Sequence, residues 1–419
     1  IFEKGVMSVN KDVLVIGAGI SGIASALELT AHGCRVHVVE RADRLGGRAA
    51  TFCCKAVADT CQKCNVCVAA EKIAAFERSP DISLYRNAEV SDVTPRNGGF
   101  HVEVTQRPSS IDPEACIGCG VCAEQCPAGA IVMEGDSRYR VDRSKCVRSK
   151  GEVCEVCREA CPVDAVDFDR KAEPVALDVG AVVVAAGYQP YQAIHKGWFG
   201  YGRFENVVTN LDLEESIRRV GKVARPSDGT APKRVAFIQC VGSRDVQERH
   251  GYCSKVCCAV AMRLSRSIRE QVPDGEVCIF YMDIQGTGKG FEAFYSQCRN
   301  EDGIRFVRGI PAEIFEDSHG GLRVTYEDMT VQSKAKEDFD LIVLSIGMTP
   351  QEDARTLAET LGIASDTHGF YQPVADRPLE TNVPGIFAAG TCRTPQDIAA
   401  CIADGMAVSS SVRSLFEEA

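Results

Sequence analysis

Blocks of consecutive apolar residues, rather than strict alternation, set the rhythm of this chain. Val13-Leu14-Val15-Ile16, Val36 to Val39, Ala181 to Ala186, Val235 to Ile238, Glu276 to Tyr281 and Leu341 to Ser345 are the clearest. Uninterrupted apolar runs of this length suit strands buried on both faces of a parallel sheet. An amphipathic helical pattern follows the first block and runs to about His32, so Asp12 to Glu40 predicts a βαβ unit. Phe100 to Val104 alternates, as an edge strand does. Pro226 to Pro232, rich in Pro, Gly and Ser, reads as a linker, and a second strand-to-helix unit begins at Lys233. Pro395-Gln396-Asp397-Ile398 opens a last helix, with Pro395 suited to its first turn.

The turn of the first unit is Gly17-Ala18-Gly19-Ile20-Ser21-Gly22, and its second strand ends in Glu40. Gly17 suits the tight turn, Gly19 the approach of a pyrophosphate and Gly22 the packing of helix on strand; Glu40 would accept from a ribose hydroxyl. Strand, glycines, helix and terminal acid together predict a dinucleotide site.

The second unit breaks that pattern. After the strand Val235 to Ile238 no G-x-G-x-x-G appears, and Cys240, Cys253, Cys257 and Cys258 stand in its place. Four thiols at a strand-to-helix turn suit an iron–sulfur cluster better than they suit ordinary buried cysteine.

Cysteine is the compositional outlier, with 22 among 419 residues. With no signal peptide read at its start, the chain points to metal ligation in a reducing compartment rather than a disulfide framework. Cys116, Cys119, Cys122 and Cys126-Pro127 form one run; Cys146, Cys154, Cys157 and Cys161-Pro162 form another. This is the bacterial two-cluster ferredoxin pattern, in which the last cysteine of each run ligates the other cluster. One [4Fe–4S] cluster is therefore expected on Cys116, Cys119, Cys122 and Cys161, the other on Cys126, Cys146, Cys154 and Cys157. Cys53, Cys54, Cys61, Cys64 and Cys67 form a further group. A helical C-x2-C-x2-C would set three thiols on one side of a turn, and a fourth cluster is expected on Cys61, Cys64, Cys67 and one of the leading pair, Cys53 or Cys54, with Cys54 taken as the ligand. A redox-active disulfide or zinc competes for that group.

The formal charge of -11 disfavours nucleic acid and anionic membranes as partners. No apolar run reaches the ~18 residues of a membrane helix. A cytoplasmic, anaerobic setting is expected. Met7 is read as the initiator, and the six residues before it are set aside.

Arg41 to Arg48, RADRLGGR, resembles the second FAD-contact motif of glutathione reductase-like flavoproteins. Thr381 to Cys392, TNVPGIFAAGTC, resembles their last FAD strand. The resemblance implies FAD contacts at Arg41, Gly47, Arg48, Gly187, Gly390, Thr391, Asp397 and Ile398, with Thr391 where many relatives carry Asp. KRVAFIQCVGSRD, YCSKVCC, YMDI, GKGFEAFY and TPQDI further resemble the family of the heterodisulfide reductase A subunit. In that family the cysteines matching Cys240, Cys253, Cys257 and Cys258 hold a [4Fe–4S] cluster. The chain is read as a short form, without the family's extra N-terminal domain and its C-terminal ferredoxin domain.

The implied fold is α/β: two Rossmann-like domains of the thioredoxin reductase type with an inserted α+β two-cluster ferredoxin domain. Expected limits are 8–107, 171–229 and 336–419 for the FAD domain, 108–170 for the insertion and 230–335 for the cluster-bearing unit. Lys289, on a glycine-rich loop, is the candidate for tuning the flavin. The implied function is an FAD- and [4Fe–4S]-containing electron-transfer subunit, bifurcating in its sharper form. Expected partners are proteins like the B and C subunits of heterodisulfide reductase, hydrogenase-type or NADH-oxidising subunits, and ferredoxin, with a homodimer inside the larger complex. The rival is a self-contained NAD(P)H:acceptor oxidoreductase like the small subunit of glutamate synthase; a third reading makes the clusters mere scaffold.

Overall fold

The computed structural model describes residues 10–112, 114–134, 138–143, 145–318 and 320–418; the expectation for Met7 lies outside them. The apolar blocks build two parallel five-stranded sheets. The first sets Ile386–Ala388, Ala181–Val184, Asp12–Ile16, Arg35–Glu40 and Ile82–Arg86 side by side. Val13, Leu14, Val15, Val182 and Val183 are wholly buried because both faces are covered. Val13, Val15 and Val183 pack with Ile23, Leu29, Val408 and Val412 of the helices Ile20–Ala31 and Ile398–Glu418. Leu14, Val182 and Val184 pack on the opposite face with Phe100, Val102 and Leu361. Burying each such side chain contributes roughly 1.5–3 kcal/mol.

Phe100 and Val102 belong to Gly99–Gln106, which is a middle strand and not the expected edge. It pairs antiparallel with Ala88–Arg96 on one side and with Glu173–Val179 on the other. The second partner is supplied from 67 residues further on, counting Gln106 to Glu173, which no local pattern announces. The iron–sulfur insertion is looped out between those two paired strands. Inside it lie the hairpin Ile131–Glu134 with Arg138–Val141 and the short helices Val121–Gln125 and Val156–Glu159. A bridge between Ile111 and Val166 closes its base.

The second sheet aligns Val207–Thr209, Leu341–Ile346, Arg234–Val241, Glu276–Tyr281 and Arg305–Arg308, all parallel. The helices Asn210–Val220 and Cys257–Gln271 cover one face through Leu213, Ile217, Met262 and Leu264. An antiparallel sheet of Glu313–Glu316, Leu322–Asp328 and Ser333–Phe339 covers the other through Ile314, Leu322, Val324 and Phe339. This unit is larger than 230–335, because Val207–Thr209 and Leu341–Ile346 complete its sheet. Pro226 to Pro232 therefore lies within it, joining Asn210–Val220 to Arg234–Val241. A two-residue antiparallel ribbon, Gln189–Pro190 with Met348–Thr349, ties together the segments that cross between the units.

Two caps place functional side chains. Thr209 and Asp212 form a capping box on Asn210–Val220: the Asp212 amide donates to Thr209 Oγ1 at 3.1 Å and the Thr209 amide to Asp212 Oδ2 at 2.9 Å. At the last helix Asp397 Oδ1 accepts from the Ala400 amide at 2.8 Å. The helix accordingly begins at Ile398, three residues after Pro395.

Candidate functional site

A long cleft runs along the carboxyl ends of the first sheet and reaches the second unit. Gly17, Gly19, Glu40, Arg41, Gly47, Arg48, Gly187, Thr391, Asp397 and Ile398 line it. Gly17 has φ +102°, and a Cβ there would lie 2.5 Å from the Ala185 carbonyl oxygen; no other residue fits. Gly22 sits behind the wall, where a Cβ would meet the Gly17 oxygen at 1.9 Å, so its role is helix–strand packing. Gly19 has nothing within 4 Å of its missing Cβ, and the cradle it leaves is open to the cleft. Glu40 Oε2 accepts from the Ala18 amide at 2.6 Å and Oε1 from Ala42 at 2.8 Å. Burial raises the Glu40 carboxyl above its ordinary 4.5, against the pull of the Ala42 and Ala18 amides. This donor set fits a dinucleotide.

Gly390, like Gly22, stands outside the lining. Its amide donates to Asp404 Oδ2 at 3.1 Å, and Gln396 Nε2 donates to the same oxygen at 2.8 Å. Asp404, inside the final helix and overlooked by sequence reasoning, thus braces the Gly390 turn from behind the cleft wall.

The cleft also holds buried charge. Lys55 Nζ lies 2.5 Å from Glu214 Oε2, each side chain about 3% exposed, and donates to the Cys53 carbonyl at 3.2 Å. Burial pushes the Glu214 carboxyl up and Lys55 pulls it down. Burial pushes the nearby Tyr188 up to about 12 and lowers Arg48. Lys289 is exposed and outside the lining, although Gly286, Thr287 and Phe291 on either side of it belong to the wall. A cation that does face the cleft from a buried position is Lys55. Glu214 had a legible signal: with Asn210, Leu213 and Ile217 it occupies the buried stripe of its helix, where an acid is out of place.

In the second unit Cys240, one residue before the end of its strand, has φ +61° and lies within a register shift between Ile238 and Val241. Cys257 and Cys258 begin the helix Cys257–Gln271. The Cys257 thiol donates to both Cys240 and Cys258, lowering Cys240 and bringing Cys258 down to about 7. Burial raises Cys253, whose sulfur accepts from the Lys255 amide at 3.3 Å and feels the charges of Cys240 and Cys258. Arg244 bonds Cys240 and forks onto Asp283, its Nη2 at 3.1 Å from Oδ2. Lys255 and Val256, between the last three cysteines, line the cleft.

The insertion holds two small cavities of similar size. Cys126, Cys146, Cys154 and Cys157 line the first; Cys116, Cys119, Cys122 and Cys161 line the second. The Ala130 amide donates to Cys126 at 3.3 Å and the Ala165 amide to Cys161 at 3.2 Å, the same offset in both halves. Burial drives the Cys157 thiol up to about 11, with Cys126, Cys146 and Cys154 adding to it. Among the described residues no three His, Cys, Asp or Glu side chains are gathered closely enough for one metal ion. A cubane asks for something else, four thiols around a shared core and backbone amides aimed at sulfur. Both cavities meet that demand.

The Cys53–Cys67 segment departs from expectation. Cys61 and Cys64 precede the helix Val66–Glu77, and positive φ at Lys63 and Asn65 interrupts a helical C-x2-C-x2-C. Cys54, Cys61 and Cys67 are exposed, while Cys64 faces the cleft. Buried Cys53 is pushed up to about 11. Gln62 pins the segment to the second unit: its side-chain amide donates to the Arg263 carbonyl at 3.1 Å, and its own carbonyl accepts from Arg263 Nε at 2.8 Å.

Residues 251–405 match the pyridine nucleotide-disulphide oxidoreductase family, residues 15–83 the NAD(P)-binding Rossmann-like domain and residues 110–132 the 4Fe-4S binding domain. Thioredoxin reductases share the fold. That of T. acidophilum is 16% identical with TM-score 0.53, covering 96% of this chain and 98% of its own. That of Lactococcus lactis is 15% identical with TM-score 0.53, covering 97% and 99%. The fold is that of the thioredoxin reductases, and the matched domains are those of a pyridine nucleotide-disulphide oxidoreductase with a Rossmann-like unit and a 4Fe-4S binding motif. In sequence, the second iron–sulfur A subunit of the CoB–CoM heterodisulfide reductase of Methanopyrus kandleri is 39% identical over 96% of this chain and 64% of its own length. The A subunit of the H2:CoB-CoM heterodisulfide,ferredoxin reductase of Methanothermobacter marburgensis is 37% identical, over 96% and 63%. Over nearly its whole length the chain is similar to heterodisulfide reductase A subunits, and it spans a little under two-thirds of the length of these relatives, 64% and 63%.

Proposed function

We propose that this chain is the electron-dividing subunit of a multi-subunit redox complex. One observation carries the reading: the loop between Cys253 and Cys257 is part of the flavin cleft wall, at the turn where a nicotinamide site would need glycines. FAD supplies the exchange between paired and single electrons. Gly17 and Gly19 give its pyrophosphate backbone access, Glu40 accepts from the ribose, and Thr391, on the turn that Gly390 makes, borders the ribityl chain. Lys55, held by Glu214, offers positive charge to the cleft without exposing it to water. Cys240, Cys253, Cys257 and Cys258 hold the cluster nearest the flavin, and the two cavities of the insertion hold two more. Cys54, Cys61, Cys64 and Cys67 are proposed for a fourth. Cluster sites both in the second unit and in the insertion support two exits for electrons, hence bifurcation. Partners resembling the B and C subunits of heterodisulfide reductase, a hydrogenase- or NADH-type donor and ferredoxin would stand at either end.

The test is anaerobic. Purified chain should contain one FAD and about twelve irons for three clusters, or about sixteen for four. NADH added alone should leave the flavin oxidised. Rapid bleaching by NADH would favour the self-contained reductase instead. Cys258→Ser should remove one EPR signal while FAD stays bound, and retention of every signal would overturn the assignment.

A further inference from the structure

The two neighbours of Cys253 both reach the flavin cleft. Ser254 is wholly buried, and its Oγ accepts from the Met348 amide at 3.0 Å. Tyr252 donates its hydroxyl to the Met348 carbonyl at 3.0 Å. Met348 lines the cleft, so one residue of the wall is clamped at both ends of its backbone by the residues on either side of one thiol. The loop of Cys240 joins the same clamp. The Ser243 amide donates to the Cys240 carbonyl at 3.2 Å, and the Ser243 and Ser254 hydroxyls share a hydrogen bond of 2.8 Å. The wall passes hard against them, since a Cβ on Gly347 would lie 2.8 Å from Ser243 Oγ.

Tyr252 makes a second connection. Its ring meets Phe370 and His368 edge to face, with centroids 5.3 and 4.8 Å away. The residue after Phe370, Tyr371, donates its amide to the Cys392 carbonyl at 2.9 Å, in the turn whose Thr391 also lines the cleft. Buried hydroxyls have no water to turn to when a loop shifts, so a displacement of Cys253 is felt at Met348 and at this turn. A cubane would set the four sulfurs at fixed separations, and with them both neighbours of Cys253. We infer that Tyr252 and Ser254 are positioning residues that couple the two cofactor sites. Filling the cysteine site tightens the flavin cleft, and by reciprocity bound flavin favours the filled cysteine site. The inference rests on the cluster proposed above for Cys240, Cys253, Cys257 and Cys258.

FAD affinities around a mutant cycle test the coupling, by equilibrium dialysis of the anaerobically purified full chain. Cys258→Ser removes the cluster and leaves the clamp; Tyr252→Phe/Ser254→Ala removes the clamp and leaves all four thiols; a further variant combines them. Cys258→Ser should weaken FAD binding about tenfold in the unmodified chain and less than about twofold in the clamp-free background. Tyr252→Phe alone should give an intermediate factor, and Ser254→Thr, which keeps a hydroxyl, should retain the whole of it. EPR signals that are all unchanged in Cys258→Ser overturn the cluster assignment and this inference with it. A lost signal with unchanged FAD affinity, or an equal loss of affinity in both backgrounds, overturns this inference alone.

Discussion

Lys55 and Glu214 come from opposite units and meet as a buried ion pair in the wall of the flavin cleft. Taking either charge from water costs several kcal/mol, so each needs the other. Glu214→Ala should destabilise the protein by about 3 kcal/mol or more by stranding Lys55. Lys55→Met combined with Glu214→Leu should recover most of that loss. Thermal unfolding of the flavin-loaded forms measures both, and a double variant no better than the single one would show that the pair acts through something other than charge.

Arg244 sits beside the cysteines of the second unit, where it bonds Cys240. Its charge favours the more negative, reduced state of a cluster held there. Arg244→Gln should lower that cluster's reduction potential by tens of millivolts, on the order of 1 kcal/mol. An EPR-monitored redox titration reads the shift. The clusters of the insertion should not move.

Glu40 predicts a pH dependence. Its folded pKa is raised, so the flavin-free fold binds a proton there more readily than the unfolded chain does. Its contribution to flavin-free stability is therefore greatest in acid and falls as pH rises from 4.5 to the raised value. Flavin binding runs the other way, because a ribose hydroxyl needs the carboxylate as acceptor. Affinity for FAD should weaken as pH falls through that window. Glu40→Gln should bind FAD more weakly and lose the trend, as flavin fluorescence during reconstitution would show.

Asp404 should matter although it lies outside the fingerprint. Losing its bonds to the Gly390 amide and Gln396 should cost about 1–2 kcal/mol in flavin binding, some tenfold in affinity, in Asp404→Ala. Equilibrium dialysis of FAD is the direct measurement. An unchanged affinity would place the turn's rigidity in the backbone alone.

Local patterns carried the architecture where a short stretch does one task. Gly17, Gly19 and Gly22 could be assigned from spacing because turn, approach and packing are each decided within six residues. The eight cysteines of the insertion pair into two cavities as the interleaved pattern implies, since a repeat constrains its own partners. Tertiary pairing was harder to see. Gly99–Gln106 looked like an edge because Glu173–Val179 arrives from beyond the insertion. The second unit looked too small because Val207–Thr209 and Leu341–Ile346 join it from outside 230–335. Lys289 drew notice through its glycine-rich neighbours, whereas Lys55 sat among cysteines and gained its meaning only from Glu214, 159 residues away.

Gln106 and Glu173 face each other across one ladder, so the flavin unit is already closed where the insertion departs. Cutting there and rejoining with a tight hairpin would leave every strand of the host in register. The cysteine-rich lobe is in this sense a pendant, and under the proposed function exchanging it for one of different charge or reach would redirect electrons without rebuilding the cleft.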